Sequence, residues 1–353
     1  MNLKSISNYA SELKPLLPAN AFAPARSRLL WLPVHWTVIA AATTAIVFGF
    51  VSWPVGLALS LVIGASFAGL TFVGHETLHG ALVRGKTLRR VIGYVSFFPF
   101  AVSPRLWEAW HNRVHHGNTN RAGADPDAYP TLQQYRDNDA TRHGTDWVSP
   151  GRNRLAGLLS LFFGFSVHSL HVLVTAHKSQ MLSRPQQRLA LVESAVSWAF
   201  WIALAVAVGP VAFLMVFGIP LLVGNFIIMS LILTNHSLSP HTEVNDPLVN
   251  SLSVTGPRWI EWLTLGFGYH VEHHLFPAMS ARHGRELRAL LVRRWPDRYQ
   301  SLPYFRALLA LHRTPRVYEN DTTLLDPRTG ATAPTLGPKT IERTPRALVV
   351  RAA

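Results

Sequence analysis

The sequence from residue 29 to residue 74 reads LLWLPVHWTVIAAATTAIVFGFVSWPVGLALSLVIGASFAGLTFVG and contains no Asp, Glu, Lys or Arg. A second uncharged stretch runs from residue 194 to residue 242. Each stretch is about twice as long as the ~20 residues that one membrane helix needs. Turn-forming pairs divide them, Trp53-Pro54 in the first and Gly209-Pro210 in the second. The pattern predicts two transmembrane hairpins, with helices at about 29–51, 54–73, 189–208 and 211–234.

The overall composition is typical of a membrane protein. Charged residues make up 15% of the 353 residues and hydrophobic residues make up 48%, whereas an ordinary soluble domain is roughly one quarter charged. A formal net charge of +14 is also found in nucleic-acid-binding proteins. Here, however, the basic residues lie between the apolar stretches and in the C-terminal third. This distribution favours the positive-inside bias of a membrane protein and predicts no nucleic-acid partner.

The chain contains no cysteine. This absence excludes disulfides, thiolate zinc sites, iron–sulfur clusters and cysteine nucleophiles within the chain. A bound metal ion must therefore be held by His, Asp or Glu side chains.

The turn of each predicted hairpin is uncharged, so the basic residues beside the hairpins mark the opposite face. We expect that face to be cytoplasmic, with both chain termini on it. A third apolar stretch, residues 155–177, is long enough to span. A span there would separate the later histidines from the earlier ones by the whole bilayer, and the stretch contains His168 and His171. We therefore interpret it as an interfacial or partly buried helix.

Nine of the 17 histidines fall into a pattern. The sequence is Gly-His-Glu-Thr-Leu-His-Gly at 74–80, His-Asn-Arg-Val-His-His at 111–116 and His-Val-Glu-His-His-Leu-Phe-Pro at 270–277, and Asn235-His236 ends the fourth predicted span. Residues three or four apart share one face of a helix, so the histidines of each cluster can point together. The nine candidate metal ligands are His75, His79, His111, His115, His116, His236, His270, His273 and His274.

Nine imidazoles are more than one metal ion can use. They suit two ions, each with four or five nitrogen ligands and an open position. Imidazole binds iron, zinc, copper and nickel, so the spacing alone leaves the metal open. The other histidines are interpreted as surface or hydrogen-bonded residues, and they are His35, His143, His168, His171, His177, His241, His283 and His312.

Two other classes of metal protein are alternatives. Residues 75–79 match the His-Glu-x-x-His pattern of zinc proteases, in which the Glu is the general base. That site needs only one further ligand and would leave the other clusters unexplained. A metal transporter would place ionisable ligands midway through its spans, whereas these clusters lie at the ends of spans.

At these positions the sequence resembles the membrane fatty-acid desaturase family. That family carries three histidine boxes, of the types His-x3/4-His, His-x2/3-His-His and His-x2-His-His. This chain matches all three in order, with the long apolar hairpin between the second and the third. The pair Asn235-His236 resembles the family's additional ligand site, Asp125-Pro126-Asp127 follows the second box, and residues 270–277 are similar to the third box of acyl-lipid desaturases. The resemblance covers about residues 30–290.

The resemblance implies an oxidoreductase with two non-haem iron ions, held by the nine histidines, and no catalytic residue beyond these ligands. Such an enzyme uses O2 to convert two adjacent CH2 groups of an acyl chain into a double bond. Acyl-lipid, acyl-CoA and acyl-carrier-protein substrates all stay open. Asn235, Asp127 and Glu272, together with Glu76 and Glu108, are expected to contact the ligand N–H groups.

The electrons must come from a separate donor, because the chain has no cysteine and no His-Pro-Gly-Gly motif of a fused cytochrome b5. A ferredoxin, a rubredoxin or a cytochrome b5 is expected. A basic surface could dock either an acidic donor or anionic membrane lipid; it comprises Arg84, Lys86, Arg89, Arg90, Arg282, Arg285 and Arg288. The same histidine pattern serves hydroxylases, carotenoid ketolases and alkane monooxygenases, which stay open as alternatives.

Together these features predict an all-α membrane protein, with four transmembrane helices in two hairpins and a cytoplasmic helical cap that holds a histidine-rich two-metal site. We predict a cytoplasmic lead at 1–28, a membrane desaturase domain at 29–290 and a cytoplasmic C-terminal region at 291–353. From about residue 314 this last region is rich in Thr, Pro and Gly. It is therefore predicted to be a poorly ordered tail.

Overall fold

The computed structural model describes residues 3–152 and 154–337, and most of these residues are helical. In chain order, the α-helices are α1 (Ile6–Leu13), α2 (Trp31–Val47), α3 (Trp53–Leu78), α4 (Lys86–Phe97), α5 (Pro104–Trp107), α6 (His116–Asn118), α7 (Leu132–Asp137), α8 (Asp139–Trp147), α9 (Leu159–Thr175), α10 (Arg184–Val208), α11 (Pro210–Phe213), α12 (Ile219–His236), α13 (Pro247–Asn250), α14 (Arg258–Leu263), α15 (His270–Leu275), α16 (Gly284–Arg294) and α17 (Tyr304–Arg313). Short 3-10 helices occupy Lys14–Leu16, Arg26–Leu30, Phe98–Phe100, Ala156–Leu158 and Ala281–His283, and π-helical segments occupy Glu108–His115 and Leu214–Gly218.

Short strands form two small sheets. The strands are β1 (Ser253–Thr255), β2 (Ser301–Pro303), β3 (Val317–Asn320), β4 (Thr323–Leu325) and β5 (Thr332–Pro334). β1 and β2 form a parallel pair in which Thr255 lies opposite Pro303. β3, β4 and β5 form an antiparallel sheet in that order.

The chain divides into two compact units, each built from separate segments of sequence. The first unit comprises the described residues within 1–22, 112–161 and 230–353. The second unit comprises residues 23–111 and 162–229. The predicted domain boundaries are drawn on sequence composition alone and stay a prediction.

Five helices among the described residues are long and apolar enough to cross a membrane. They are Arg26–Val47, Trp53–Leu78, Ala156–Thr175, Arg184–Val208 and Pro210–His236. Four of these correspond to the four predicted spans, and together the five are typical of an integral, multi-pass membrane protein. The fifth, Ala156–Thr175, is the stretch that the sequence predicted as interfacial, so the four-span hairpin arrangement is not confirmed.

Helices α2 and α3 of the second unit pack closely because α3 carries small residues where the two meet. A Cβ atom on Gly69 would collide with the imidazole of His35 on α2. Likewise, a Cβ atom on Gly64 would lie 2.5 Å from the Cβ atom of Val223 on α12. Small residues of this kind let apolar helices approach each other when lipid offers no hydrophobic driving force. His35 is therefore buried against a neighbouring helix and does not lie on the surface.

The core of the first unit joins the N-terminal helix to the helices that follow the second apolar stretch. Tyr9 and Leu13 of α1 are fully buried in one apolar cluster with Val271 of α15 and Leu287 of α16. The buried Asp246 carboxylate accepts hydrogen bonds from the Tyr9 hydroxyl at 3.0 Å and from other donors nearby. These contacts fix α1 to the unit that carries the third histidine cluster.

Residues 314–337, for which the sequence predicted little regular structure, contain strands β3, β4 and β5. The buried guanidinium of Arg316 donates hydrogen bonds to the carbonyl oxygens of Ser237, directly after α12, and of Leu311, in the last turn of α17. The Tyr318 hydroxyl donates to the carbonyl oxygen of Ser239 at 2.6 Å. Strands of three or four residues carry too little periodicity to be predicted. Residues 338–353 of the predicted tail lie outside the described residues.

The close approach of α2 and α3 can be tested with Gly69→Ala. The added methyl group must displace the His35 ring, so we expect the free energy of unfolding to fall by about 1–3 kcal/mol. Thermal unfolding of the purified protein in lipid nanodiscs measures this loss. Gly144→Ala on α8 is the matched control, because a Cβ atom there meets nothing within 4 Å. Equal unfolding midpoints for the two variants would contradict the packing described.

Candidate metal centre

The predicted ligands lie at the ends of apolar helices or in short segments beyond them. Helix α3 ends three residues after His75, α12 ends at His236, and α15 begins at His270. The second cluster differs from the expected α-helix, because Glu108–His115 is π-helical. The wider turn changes which side chains share a face, and single π-helical turns are frequent at functional sites.

Three predicted ligands come together in the second unit. One ring nitrogen from each of His75, His79 and His111 lies within 4.8 Å of the others. The Nε2 atoms of His75 and His111 are 3.2 Å apart. The indole of Trp107 stacks on the His111 ring with their centroids 4.3 Å apart, which restricts the rotation of that imidazole.

A second group of predicted ligands is buried in the first unit. Ring nitrogens of His115, His236 and His274 lie within 4.8 Å of one another. The Nε2 atom of His270 is 2.6 Å from Nε2 of His236 and 3.1 Å from Nε2 of His274. Four imidazoles from three separate segments of sequence are therefore directed at one point.

The remaining two predicted ligands, His116 and His273, also lie in the first unit. Their Nε2 atoms are 3.1 Å apart. The His116 ring stacks on the His274 ring with the centroids 4.3 Å apart. All nine predicted histidines thus have another predicted histidine as a close neighbour.

The Asp125 carboxylate orients His115. Its two oxygens lie 3.0 and 3.1 Å from His115 Nδ1, whereas the nearest oxygen of Asp127, the predicted partner, is 3.4 Å away. A carboxylate at Nδ1 holds a proton on that nitrogen and leaves Nε2 as the metal-binding atom. Burial lowers the pKa of His115, but the charges of Asp125 and Asp127 outweigh it and raise the pKa to about 9.

Thr119 fixes the tautomer of His274 in a similar way. Its hydroxyl donates to the carbonyl oxygen of His115 at 3.0 Å, so toward Nδ1 of His274, 3.2 Å away, it acts as the acceptor. Nε2 of His274 is therefore left for a metal ion. Burial, reinforced by the neighbouring imidazoles, lowers the pKa of His274 well below its ordinary value, which favours the neutral ring that a metal ion binds.

Glu272, inside the third cluster, has a different role from the predicted one. Its carboxylate accepts hydrogen bonds from the Ser253 hydroxyl at 2.6 Å and the Tyr299 hydroxyl at 2.5 Å, not from an imidazole. The Ser253 oxygen in turn accepts from the backbone N–H groups of His270 and Val271, at 3.1 and 3.0 Å. This chain of contacts fixes the N-terminus of α15, which carries three of the predicted ligands.

Two further predicted carboxylates bind arginines. Glu76 Oε2 accepts from Arg28 Nε at 2.6 Å, and Glu108 Oε2 accepts from Arg90 Nη2 at 2.6 Å.

The Asn235 side chain differs from these carboxylates. It is fully buried, and neither its oxygen nor its nitrogen has a hydrogen-bond partner within residues 3–152 and 154–337. A buried amide without partners is costly, so this position fits a side chain that holds a bound water molecule.

The donor sets fit metal ions that prefer nitrogen ligands. Two imidazole nitrogens that bind one ion at about 2.1 Å and at right angles are about 3.0 Å apart. The Nε2 atoms of neighbouring predicted ligands are 2.6–3.2 Å apart, and this range includes the expected value. Each unit therefore provides a group of imidazoles that fits a metal ion.

Comparison with known proteins agrees with this site. A profile of the fatty acid desaturase family matches residues 51–306, which include all nine histidines. An sn-1 acyl-lipid omega-3 desaturase (ferredoxin) of Synechocystis is 32% identical over 123 residues, 35% of this chain and 34% of that relative. An sn-1 linoleoyl-lipid 6-desaturase of Synechocystis is 24% identical over 316 residues, 80% of this chain and 83% of the relative. A probable fatty acid desaturase of Sorghum bicolor is 24% identical over 287 residues, 77% and 72% of the two chains.

The role of Asp125 can be tested with Asp125→Asn. The amide no longer holds a proton on His115 Nδ1 as the carboxylate does, so we expect the affinity of the first unit for its metal ion to fall about 10- to 100-fold. Competition with a chelator, followed by metal analysis of the purified protein, measures the change. Asp137→Asn, at an exposed position on α7, is the control and should retain the original affinity. Identical chelator sensitivity in both variants would rule out the orienting role.

Proposed function

The chain belongs to the fatty acid desaturase family, and on this premise we propose that it is an O2-dependent desaturase that introduces a carbon–carbon double bond into a fatty acyl chain. Membership makes the protein an oxidoreductase of that family. The observation that carries the proposal is the convergence of imidazole nitrogens in two groups, His75, His79 and His111 in the second unit and His115, His236 and His274 in the first.

We propose that each group binds one iron ion and that the nine predicted histidines are the ligands. When bound, the iron ions would supply the O2 chemistry that removes one hydrogen from each of two adjacent carbons, with two electrons and two protons entering from outside and two water molecules leaving. Asp125 and Thr119 keep Nε2 of His115 and of His274 available for iron. The contacts of Glu272 with Ser253 and Tyr299 hold α15 in place, and the buried Asn235 amide binds a water molecule near His236.

We propose a lipid- or thioester-linked acyl chain as the substrate. The five candidate spans support contact between the chain and lipid, where acyl chains reside. The names of the two Synechocystis relatives describe acyl-lipid substrates. They favour a lipid-linked acyl chain over a thioester-linked one. The name of one relative includes ferredoxin, and it supports a separate one-electron donor of the ferredoxin, rubredoxin or cytochrome b5 type. The positive-inside bias supports a cytoplasmic position for the metal site and both termini, an arrangement that requires Ala156–Thr175 not to cross the bilayer.

Metal analysis tests the two-iron proposal. We expect about two iron ions per chain in the purified protein, because two separate groups of imidazoles are present. His75→Ala and His274→Ala should each lower the content to about one, since each removes a ligand from a different group. His143→Ala, at an exposed position on α8, is the control and should retain both ions. A single tightly bound zinc ion in the unaltered protein would contradict the proposal.

Expression in a host of defined lipid composition tests the reaction. Lipid and fatty-acid profiling should show a new double bond with the unaltered chain and with His143→Ala, and none with His274→Ala at equal membrane content. The position of the bond and the class of lipid that carries it would identify the substrate. A new hydroxyl or keto group in place of a double bond would overturn desaturation and favour the hydroxylase or ketolase alternative.

A further inference from the structure

Two amphipathic helices of the first unit begin at the same edge of the small parallel sheet. Strands β1 and β2 run in the same direction, and Thr255 lies opposite Pro303 at their ends. Helix α14 starts at Arg258, three residues after β1, and α17 starts at Tyr304, directly after β2. The sheet therefore brings the first turns of the two helices close together.

Both helices expose large apolar side chains at helical spacing. On α14, Trp259, Trp262 and Leu263 are 60%, 59% and 41% exposed, at positions i, i+3 and i+4. On α17, Phe305 and Leu309 are 65% and 43% exposed, at i and i+4. Residues at these spacings share one face of a helix. We call these five residues, with the neighbouring Arg258, Arg306 and Arg313, the α14–α17 surface.

The inner face of α17 is already used. Ala307, Ala310 and Leu311 are buried, so Phe305 and Leu309 belong to a second, outward face. A group of large apolar side chains that is exposed in this way marks an interaction surface.

The charge of the α14–α17 surface is positive. Arg258, Arg306 and Arg313 are all exposed. Within α14 and α17 the sole acidic residue is Glu261, whose carboxylate accepts from Arg285 Nη2 at 2.5 Å. The surface therefore combines aromatic rings with guanidinium groups that have no carboxylate partner within residues 3–152 and 154–337, and it would attract an anionic partner.

We propose that the α14–α17 surface lies in the head-group region of an anionic phospholipid bilayer. Helices of 6 and 10 residues are too short to span, so they can only lie along the interface. Trp and Phe rings favour that region, and guanidinium groups bind lipid phosphates there. Because the chain has five candidate spans, a lipid bilayer is the anionic partner that lies beside it. This inference does not depend on the reaction proposed above, because it uses none of the predicted metal ligands.

The absence of cysteine from the chain allows a site-specific test. Phe305→Cys and Trp259→Cys each introduce a unique thiol for an environment-sensitive fluorophore. The labelled full-length protein is placed in nanodiscs of phosphatidylcholine, with or without phosphatidylglycerol, and with or without spin-labelled lipid as quencher. We expect the lipid quencher to lower fluorescence at least about twofold at both positions in the anionic discs, and less in the neutral discs. A label at Glu243→Cys, where the original side chain is 80% exposed, should stay unquenched.

Charge reversal tests the role of the arginines. Arg306→Glu with Arg313→Glu, in the Phe305→Cys chain, should weaken quenching in the anionic discs. Arg136→Glu with Arg293→Glu, at exposed positions on α7 and α16, is the matched control and should not. Thermal unfolding in the same nanodiscs confirms that each variant is folded. Trp259→Cys decides the outcome if Phe305→Cys does not fold. Three outcomes would each overturn the proposal. The labels could remain open to water, they could be shielded without quenching by the lipid, or quenching could be equal in neutral and anionic discs.

Discussion

Hydrocarbon stabilises neither ions nor unpaired polar groups, and this constraint decides where the polar side chains of the chain lie. His75 and His236 lie at the ends of candidate spans, while the other predicted ligands follow in shorter segments. Two ionisable groups that fall inside candidate spans, His35 and Glu193, have neighbours that shield or pair them. His35 is buried against Gly69, and the Glu193 carboxylate accepts from Arg105 at 2.9 Å and from Ser103 at 2.5 Å.

The acidic side chains near the histidines divide by partner. Asp125 contacts the imidazole of the predicted ligand His115, and its charge favours a proton on Nδ1 and an open Nε2. Glu76 and Glu108 instead pair with Arg28 and Arg90. Glu272 binds two hydroxyl groups, and burial raises the pKa of its carboxyl group. Acidic side chains therefore orient an imidazole in one place and hold a helix in another.

Much of the site could be predicted from the sequence, because it depends on signals that lie close together along the chain. Long uncharged stretches predict the candidate spans, and histidines at helical spacing predict which side chains converge. Contacts between distant segments could not be predicted in this way. The choice of Asp125 over Asp127 depends on the turn after the second cluster, where the backbone N–H of Asn120 also donates to Asp125 at 2.7 Å.

Other features left no readable signal. A π-helical turn has no distinct residue pattern, so the spacing of the histidines at 111–116 indicates a helix but not that it is π-helical. Strands β3, β4 and β5 are too short for an alternating pattern to stand out. The Ser253 and Tyr299 contacts of Glu272 join residues 19 and 27 positions away in sequence, and no spacing rule relates them. The stretch Ala156–Thr175 was assigned by a parity argument, although its length and hydropathy permit a span.

The discontinuous build of the first unit also sets an order of events during synthesis. His75, His79 and His111 have all been translated by residue 111, whereas His115, His236 and His274 are not all available until residue 274 has been translated. The hydrogen bonds that support Asp125, the partner of His115, are completed later still. Asn120 donates from its backbone N–H to Asp125 and from its side chain to the Ser239 carbonyl. The Tyr318 hydroxyl donates to the same carbonyl. The imidazole group of the first unit is therefore completed only after residue 274 has been translated, when the predicted ligands of the second unit have already been synthesised.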